Sequence, residues 1–321
     1  MMKAIEVKDL TRAFGSLVAV DHISFEVEEG EIFGILGANG AGKTTTIMML
    51  ATALRPTSGS AAVCGYDIIR AREELRKAIG VVFEELSLDF DLTARENLDF
   101  HARMYHIPGK AREERISRAL ELVGLRNKQD MLVKHYSGGM QRRLEIARGM
   151  LNEPRVLFLD EPTLGLDVQT RRMVWDYARK LNRESATTIL LTTHYVEEAD
   201  YLCDRVAIME RGRIVVTDTP QRLKSSLGDS LLLVKLPRGS GGLAELLREV
   251  DWIKKVTPQD GGLELTVGGE GTKIPQLVKL ARDNGLAISS ISQRKPSLED
   301  AYLHYAGKKM EGEKDDQQHR N

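Results

Sequence analysis

Hydrophobic residues fall along this chain in two different rhythms. At the start, polar and apolar positions alternate through Ile5, Val7, Leu10, Val18, Val20, Ile23, Phe25 and Val27, which predicts short antiparallel strands. Three later stretches, Ile32–Leu36, Ile79–Phe83 and Val156–Leu159, are instead continuously apolar, and a fourth, Thr188–Thr193, sets an apolar centre between threonines. Such runs suit strands covered on both faces, as in a parallel sheet, and ligands gather at the carboxyl ends of such strands.

Between the runs the period lengthens to that of a helix. From Thr44 onward Ile47, Leu50, Ala51 and Leu54 share one face, and a polar helix is expected around Arg70–Lys77. From Thr93 to Gly124 the pattern is helical and rich in charge. It opens on a capping box formed by Thr93 and Glu96, with Leu98, His101 and Tyr105 on one stripe and Ile116, Leu120 and Val123 on another. A further helix follows Ser137, with Met140, Leu144, Ala147 and Leu151 facing inward. Arg142 and Arg143 on that helix are expected on a solvated face or against an acidic partner.

After Gly228 the composition changes. Strands over 231–236, 253–257, 263–267 and 286–292, with helices over 243–250 and 274–284, give the order βαββαβ of a small ferredoxin-like sandwich. Residues 307–321 are polar and expected to be disordered.

Chemistry enters where the first continuous run ends. The spacing Gly37-x-x-x-x-Gly42-Lys43-Thr44 lies between a strand and a helix, the context that a phosphate-binding loop requires. Its backbone N–H groups can curl round a polyphosphate, and the new helix points its positive end at it. The candidate cradle runs through Gly37, Asn39, Gly40, Gly42, Lys43, Thr44 and Thr45, with Lys43 on the outer phosphates and the Thr44 hydroxyl on Mg²⁺. A glycine-rich turn that binds nothing is the bland alternative. Asp160 ends its apolar strand beside this loop and is the expected Mg²⁺ partner; Glu161, one residue on, can polarise an attacking water. His194, ending the next run, would share that sheet edge and reach the γ-phosphate. Ser137-Gly138-Gly139 offers a bare helix N-terminus, an anion site, although such a sequence also caps helices without a function. Phe14 taken alone reads as a core aromatic. His101, His106 and His135 lack metal-ligand spacing and read as solvated or capping histidines.

Composition narrows the classes. The 321 residues suffice for two domains, and 42% hydrophobic content can fill their cores. A net charge of −1 gives no footprint for nucleic acid. Cys64 and Cys203 lie in unrelated contexts and read as buried thiols in a reducing compartment. With no membrane-length apolar run and no secretion signal, the expectation is a cytoplasmic protein that meets membrane only through a partner.

Together these motifs resemble the ATP-binding cassette (ABC) transporter ATPases over about residues 1–226. Gly37–Thr44 resembles Walker A, Val156–Asp160 Walker B, Tyr136–Met140 the signature motif, Leu164–Asp167 the D-loop and His194 the switch histidine. The resemblance implies an α/β P-loop core with an antiparallel β subdomain and a helical subdomain. That cassette would span residues 1–227, its helical part about 86–150. It would be followed by a C-terminal α+β domain at 228–306, whose ending, 296–302, resembles the daunorubicin-resistance kind. It implies ATP and Mg²⁺, with Thr44, Asp160 and Glu84 at the metal, Glu161 as catalytic carboxylate and His194 on the γ-phosphate. Phe14 would stack on adenine. Ser137 and Gly139 would serve the nucleotide of a second copy in a head-to-tail homodimer, with Gly138 and Asp167 also among the nucleotide-binding residues. The implied partner is an integral-membrane permease, with the chain on the inner face of the cell membrane. One position departs from the pattern: the family carries Gln where this chain has Glu84, which bears on hydrolysis and coupling. A non-transport ABC ATPase and a nucleotide-gated module with weak turnover are the alternatives. The single cassette, the short interval from Lys43 to Ser137 and the neutral charge speak against the first.

Overall fold

The computed structural model describes residues 3–228, 230–236, 243–259, 261–268, 273–285 and 287–307. It divides into two compact units, Met1–Thr219 and Pro220–Asn321.

The alternating N-terminal segment forms two long strands rather than several short ones, β1 (Lys3–Phe14) and β2 (Leu17–Glu28). They pair antiparallel with Val7 opposite Phe25 and Leu10 opposite Ile23, so one face is apolar throughout. Irregularities in that register between Val7 and Leu10 coincide with Asp9 in left-handed backbone. Next come β3 (Ile32–Leu36), α1 (Lys43–Leu50), β4 (Ser58–Val63), β5 (Tyr66–Asp67), α2 (Arg72–Ala78) and β6 (Ile79–Val82). Helix α1 stops at Leu50, so Leu54 lies beyond the helix that its spacing suggested, although it still packs on the same core.

The charged stretch divides into α3 (Ala94–Met104) and α4 (Gly109–Leu122), broken before Pro108. The capping box forms as expected: Thr93 accepts from the Glu96 backbone, and the Glu96 carboxylate accepts from that of Thr93. Leu98 is buried on the expected stripe, but Tyr105 at its end is exposed. The remaining elements of this unit are α5 (Gly138–Gly149), β7 (Val156–Asp160), α6 (Val168–Ser185), β8 (Thr188–Thr193), α7 (Val196–Leu202), β9 (Arg205–Glu210) and β10 (Arg213–Asp218).

Two sheets result. One is antiparallel in the order β2-β1-β4-β5; the other runs β10-β9-β3-β8-β7-β6, parallel except where β10 meets β9. Every residue of β3, β7 and β8 is buried. A shared core joins the sheets, and the Phe25 and Phe33 rings stack within it at 5.3 Å. Leu98, Leu120, Leu144 and their neighbours from α3, α4 and α5 make a separate helical core.

The second unit contains α8 (Pro220–Ser225), β11 (Ser230–Lys235), α9 (Leu243–Arg248), β12 (Ile253–Gln259), β13 (Gly262–Val267), α10 (Ile274–Asp283) and β14 (Ser290–Arg294). Its sheet is wholly antiparallel in the order β12-β13-β11-β14, the ferredoxin-like arrangement. Leu232, Val234, Leu265 and Val267 of the sheet pack with Leu243, Leu247 and Leu277 of the helices. The last strand begins later than the apolar residues suggested; Ile288 packs into the core from the connection instead, and Leu286 lies outside the described residues. A final helix covers 298–307, and the rest of the expected tail, 308–321, also lies outside them.

Candidate functional site

The order β3-β8-β7-β6 fixes the site, because all four strands run the same way and release their chain at one edge. β3 delivers Gly37, β8 delivers His194, β7 delivers Asp160 and Glu161, and β6 leads to Glu84.

Helix α1 starts without a side-chain cap, so its first N–H groups stay open to a ligand. Its N-cap, Gly42, needs to be glycine: φ is 105°, and an added Cβ would lie 2.4 Å from the Ala19 carbonyl oxygen. Lys43 is only 5% exposed; its Nζ donates to the Gly37 and Ala38 carbonyls and lies 3.0 Å from Glu161 Oε1. The other Glu161 oxygen lies 2.9 Å from His194 Nδ1. A carboxylate only accepts, so Nδ1 carries the proton of this contact.

Asp160 is fully buried. Its Oδ1 accepts from the Thr44 hydroxyl at 3.2 Å and from Thr192, while Oδ2 has no hydrogen-bond partner. Burial pushes its carboxyl up, against the pull of the two threonine hydroxyls. An oxygen atom kept dry and unpartnered beside a threonine hydroxyl suits a hard divalent cation.

Lys43, Thr44 and Glu161 border a cavity of about 430 Å³ that Asn39, Gly40, Gly42, Thr45, Glu84 and Leu164 also line, whereas Gly37, Asp160 and His194 do not reach its lining. Phe14, Leu17 and Ala19 give it an apolar wall at one end. Phe14, at the tip of β1, is 45% exposed rather than in the core, and the Arg12 guanidinium lies 4.3 Å from its ring centre.

Ser137, Gly138, Gly139 and Asp167 do not line this cavity. They gather in a second place, where α5 and α6 begin. The Ser137 hydroxyl accepts from the Met140 backbone, and Asp167 accepts from the Thr170 backbone and hydroxyl. Gly139 keeps its place for a reason other than an open helix mouth: a Cβ there would come within 2.0 Å of the Thr170 methyl.

Two expectations need correction. Arg142 is neither solvated nor paired with an acidic partner: it is 5% exposed and donates to carbonyl oxygens of Phe83, Glu84, Asp160, Glu161 and Pro162. Arg143 is half-buried, donating to the Val123 carbonyl and the Tyr177 hydroxyl. His101 is likewise not a solvated histidine; burial and the charge of Arg148 lower it to about 4. His106 and His135 are exposed, and no metal-holding cluster of His, Cys, Asp and Glu occurs among the described residues. Cys64 and Cys203 are free and buried, as expected.

The sequence reading passed over two residues and misplaced a third. Thr192 pairs in register with Asp160, and its backbone and side-chain oxygens both accept from the Glu161 N–H. Glu198, four positions after His194, is fully buried and accepts from Thr163 and Trp175. Arg142 could have been found from the second stripe on α5, Gly139-Arg142-Ile146-Gly149, all buried.

A phosphate cradle, an unpartnered buried aspartate and a doubly held glutamate at one edge of a parallel sheet define a P-loop nucleotide-hydrolysing cassette. Residues 20–164 match the family model described as ABC transporter, and residues 219–306 match that for the C-terminal domain of DrrA1-3-like ATP-binding proteins. The chain is 38% identical over 309 residues to the daunorubicin/doxorubicin resistance ATP-binding protein DrrA of Streptomyces peucetius, covering 95% of this chain and 93% of that one. It is 31% identical over 309 residues to the linearmycin resistance ATP-binding protein LnrL of Bacillus subtilis, covering 95% and 99%. Among solved structures, cbiO1 from Clostridium perfringens, part of an ABC transporter complex, aligns with TM-score 0.65 and 28% identity over 70% of this chain and 91% of that one. The dimeric cassette MJ0796 bound to ADP and Pi aligns with TM-score 0.60 and 25% identity over 67% and 98%. The chain belongs to the ABC transporter ATP-binding proteins of the daunorubicin-resistance type. It is an ATPase subunit that binds and hydrolyses ATP for a transporter. No helix among the described residues is long and apolar enough to cross a membrane.

Proposed function

We propose that the chain is the motor of an exporter whose membrane path is a separate permease, and that two copies close head to tail around ATP. Relatives named for drug resistance support outward transport. The two separated clusters support the pairing. The strand-edge groups bind nucleotide in one copy, while the exposed Ser137, Gly138 and Asp167, with the buried Gly139 between α5 and α6, meet it from the other. Such a motor works at the inner face of the membrane, with the C-terminal unit serving dimerisation or permease docking.

In this reading Phe14 stacks on the base, and the α1 N-terminus with Lys43 takes the phosphates. Thr44 and Asp160, with Glu84 nearby, would hold Mg²⁺, which would spread the negative charge of the phosphates. Glu161 accepts the proton of the attacking water. His194 Nδ1–H steadies Glu161, and its Nε2 meets the γ-phosphate.

The observation that carries the proposal is the Glu161 carboxylate, held on one oxygen by Lys43 and on the other by His194, next to Asp160. Glu161→Gln should lower turnover by about 10²-fold or more, the scale of losing a positioned base. It should also accumulate dimers in sedimentation under saturating Mg-ATP, and adding Ser137→Arg should abolish them. If Glu161→Gln stays monomeric under those conditions, the shared-site model fails.

A further inference from the structure

The strongest buried polar constellation outside the cavity lies between α5 and the ends of β6 and β7. Arg142 Nε donates to the Pro162 carbonyl at 2.8 Å, Nη1 to Phe83 at 2.6 Å and Glu84 at 3.4 Å, and Nη2 to Asp160 at 2.8 Å and Glu161 at 3.1 Å. One guanidinium therefore ties together two chain segments that leave neighbouring strands, where the sheet ladder no longer supplies partners. Buried carbonyls left in that position need a donor.

Glu161 gives the arrangement its meaning. Its φ is +46°, left-handed backbone that a residue with a side chain adopts only when its surroundings hold it there. The Glu161 N–H is held by Thr192 and its C=O by Arg142, so the peptide groups on both sides of that φ and ψ are pinned. The turn so made aims the carboxylate at Lys43 and His194.

We infer that Arg142 is a positioning residue for hydrolysis: it holds Glu161 in its left-handed turn and locks the start of the Glu84 loop to it. The inference rests on the proposed role of Glu161 as the base. Arg142 does not line the nucleotide cavity, so its effect falls on turnover and spares nucleotide binding. It also sits on the helix that Ser137 caps, so a shift of the first turn of α5 is passed to the backbone of Glu161. The work is done by the planar fork rather than by charge. A lysine keeps the charge but has one nitrogen, which cannot reach carbonyls of five residues in two segments.

The test uses the full chain in steady-state Mg-ATP hydrolysis and equilibrium ATP titration, comparing Arg142→Lys and Arg142→Ala with the parent and with Glu161→Gln. We expect both Arg142 variants to lose about tenfold or more in kcat, with KM and Kd for ATP within about threefold of the parent, the pattern of an interaction that matters only in the transition state. Millimolar guanidinium ion should restore part of the activity of Arg142→Ala and none to Glu161→Gln. A fully active Arg142→Lys overturns the inference, because charge alone would then suffice. So does a parallel loss of kcat and ATP affinity, or an Arg142→Ala that folds and ignores guanidinium. Arg142→Lys decides the matter alone should the alanine variant not fold. Unchanged turnover in Glu161→Gln sinks the reading of the base instead, and the Arg142 variants are scored separately by their own kcat and KM.

Discussion

Trp175 donates its indole N–H to Glu198 across 2.7 Å, and neither side chain is more than 2% exposed. The same carboxylate oxygen accepts from Thr163, two residues after Glu161, so Glu198 joins α6 and α7 to the segment that follows β7. Burial raises its carboxyl above the ordinary glutamate value of 4.5, outweighing the hydrogen bonds from Thr193, Thr163 and Trp175 that favour the charged form.

A pH dependence follows. A carboxyl raised on folding binds its proton more tightly in the folded chain. Its contribution is therefore fully present below the unfolded value, near 4.5, and is lost as pH rises through the folded value. Glu198→Gln keeps an acceptor for Thr163 and Trp175 and removes the ionisation. Its stability relative to the parent should improve as pH is raised from about 4 to 8, by about 1.4 kcal/mol for each unit by which folding raises the carboxyl. Urea unfolding of both proteins across that range checks it; a difference independent of pH would show that Glu198 does not titrate with folding.

A steric prediction concerns Gly139. An alanine there must push aside the Thr170 methyl, which belongs to the residue that Asp167 caps. Gly139→Ala should cost about 1–3 kcal/mol, the range for overpacking. Thr170→Ser keeps the hydroxyl and removes the obstructing methyl, so the double variant should recover most of that loss. Denaturation of the two single variants and the double variant completes the cycle, and additive losses would contradict the packing argument.

Glu84 supplies a third prediction. Its carboxylate is exposed and lines the proposed nucleotide cavity, where the family resemblance implies a neutral Gln. An ionised Glu adds negative charge near the γ-phosphate and cannot donate to an attacking water. Glu84→Gln should raise ATP turnover and leave nucleotide affinity within about tenfold, or about 1.4 kcal/mol. Parallel hydrolysis assays decide it; an equal or slower Gln variant makes Glu84 a working residue of this ATPase.

The parts of the site that the sequence made legible are those whose chemistry and burial coincide. Asp160 and His194 follow apolar runs that could only be interior strands, so charge at their ends had to be placed for use. The cradle from Gly37 to Thr44 was legible because its glycines answer to local backbone demands. Arg142 was not, because charge beside Arg143 suggests solvent, and no local pattern reveals that two strand ends lack donors. Its burial emerges only from the Gly139-Arg142-Ile146-Gly149 stripe, in which small residues let α5 approach β6: a Cβ on Gly80 would lie 2.1 Å from the Gly149 carbonyl oxygen. The C-terminal element order was legible from periodicity, but the last strand was not placed well. Ile288 looks like strand and packs from a connection, whereas Ser290–Arg294 pairs at the sheet edge with largely exposed side chains.

The apolar wall of Phe14, Leu17 and Ala19 bears on which nucleotides the motor can burn. None of the three side chains carries a hydrogen-bonding group, so nothing on that wall reads the edge of a base. An aromatic face rewards stacking by about 1–3 kcal/mol with little regard for which base is laid on it. On the proposed stacking of a base on Phe14, discrimination would rest with the groups that meet the phosphates, and guanine and adenine nucleotides carrying the same phosphates would be near-equivalent fuels.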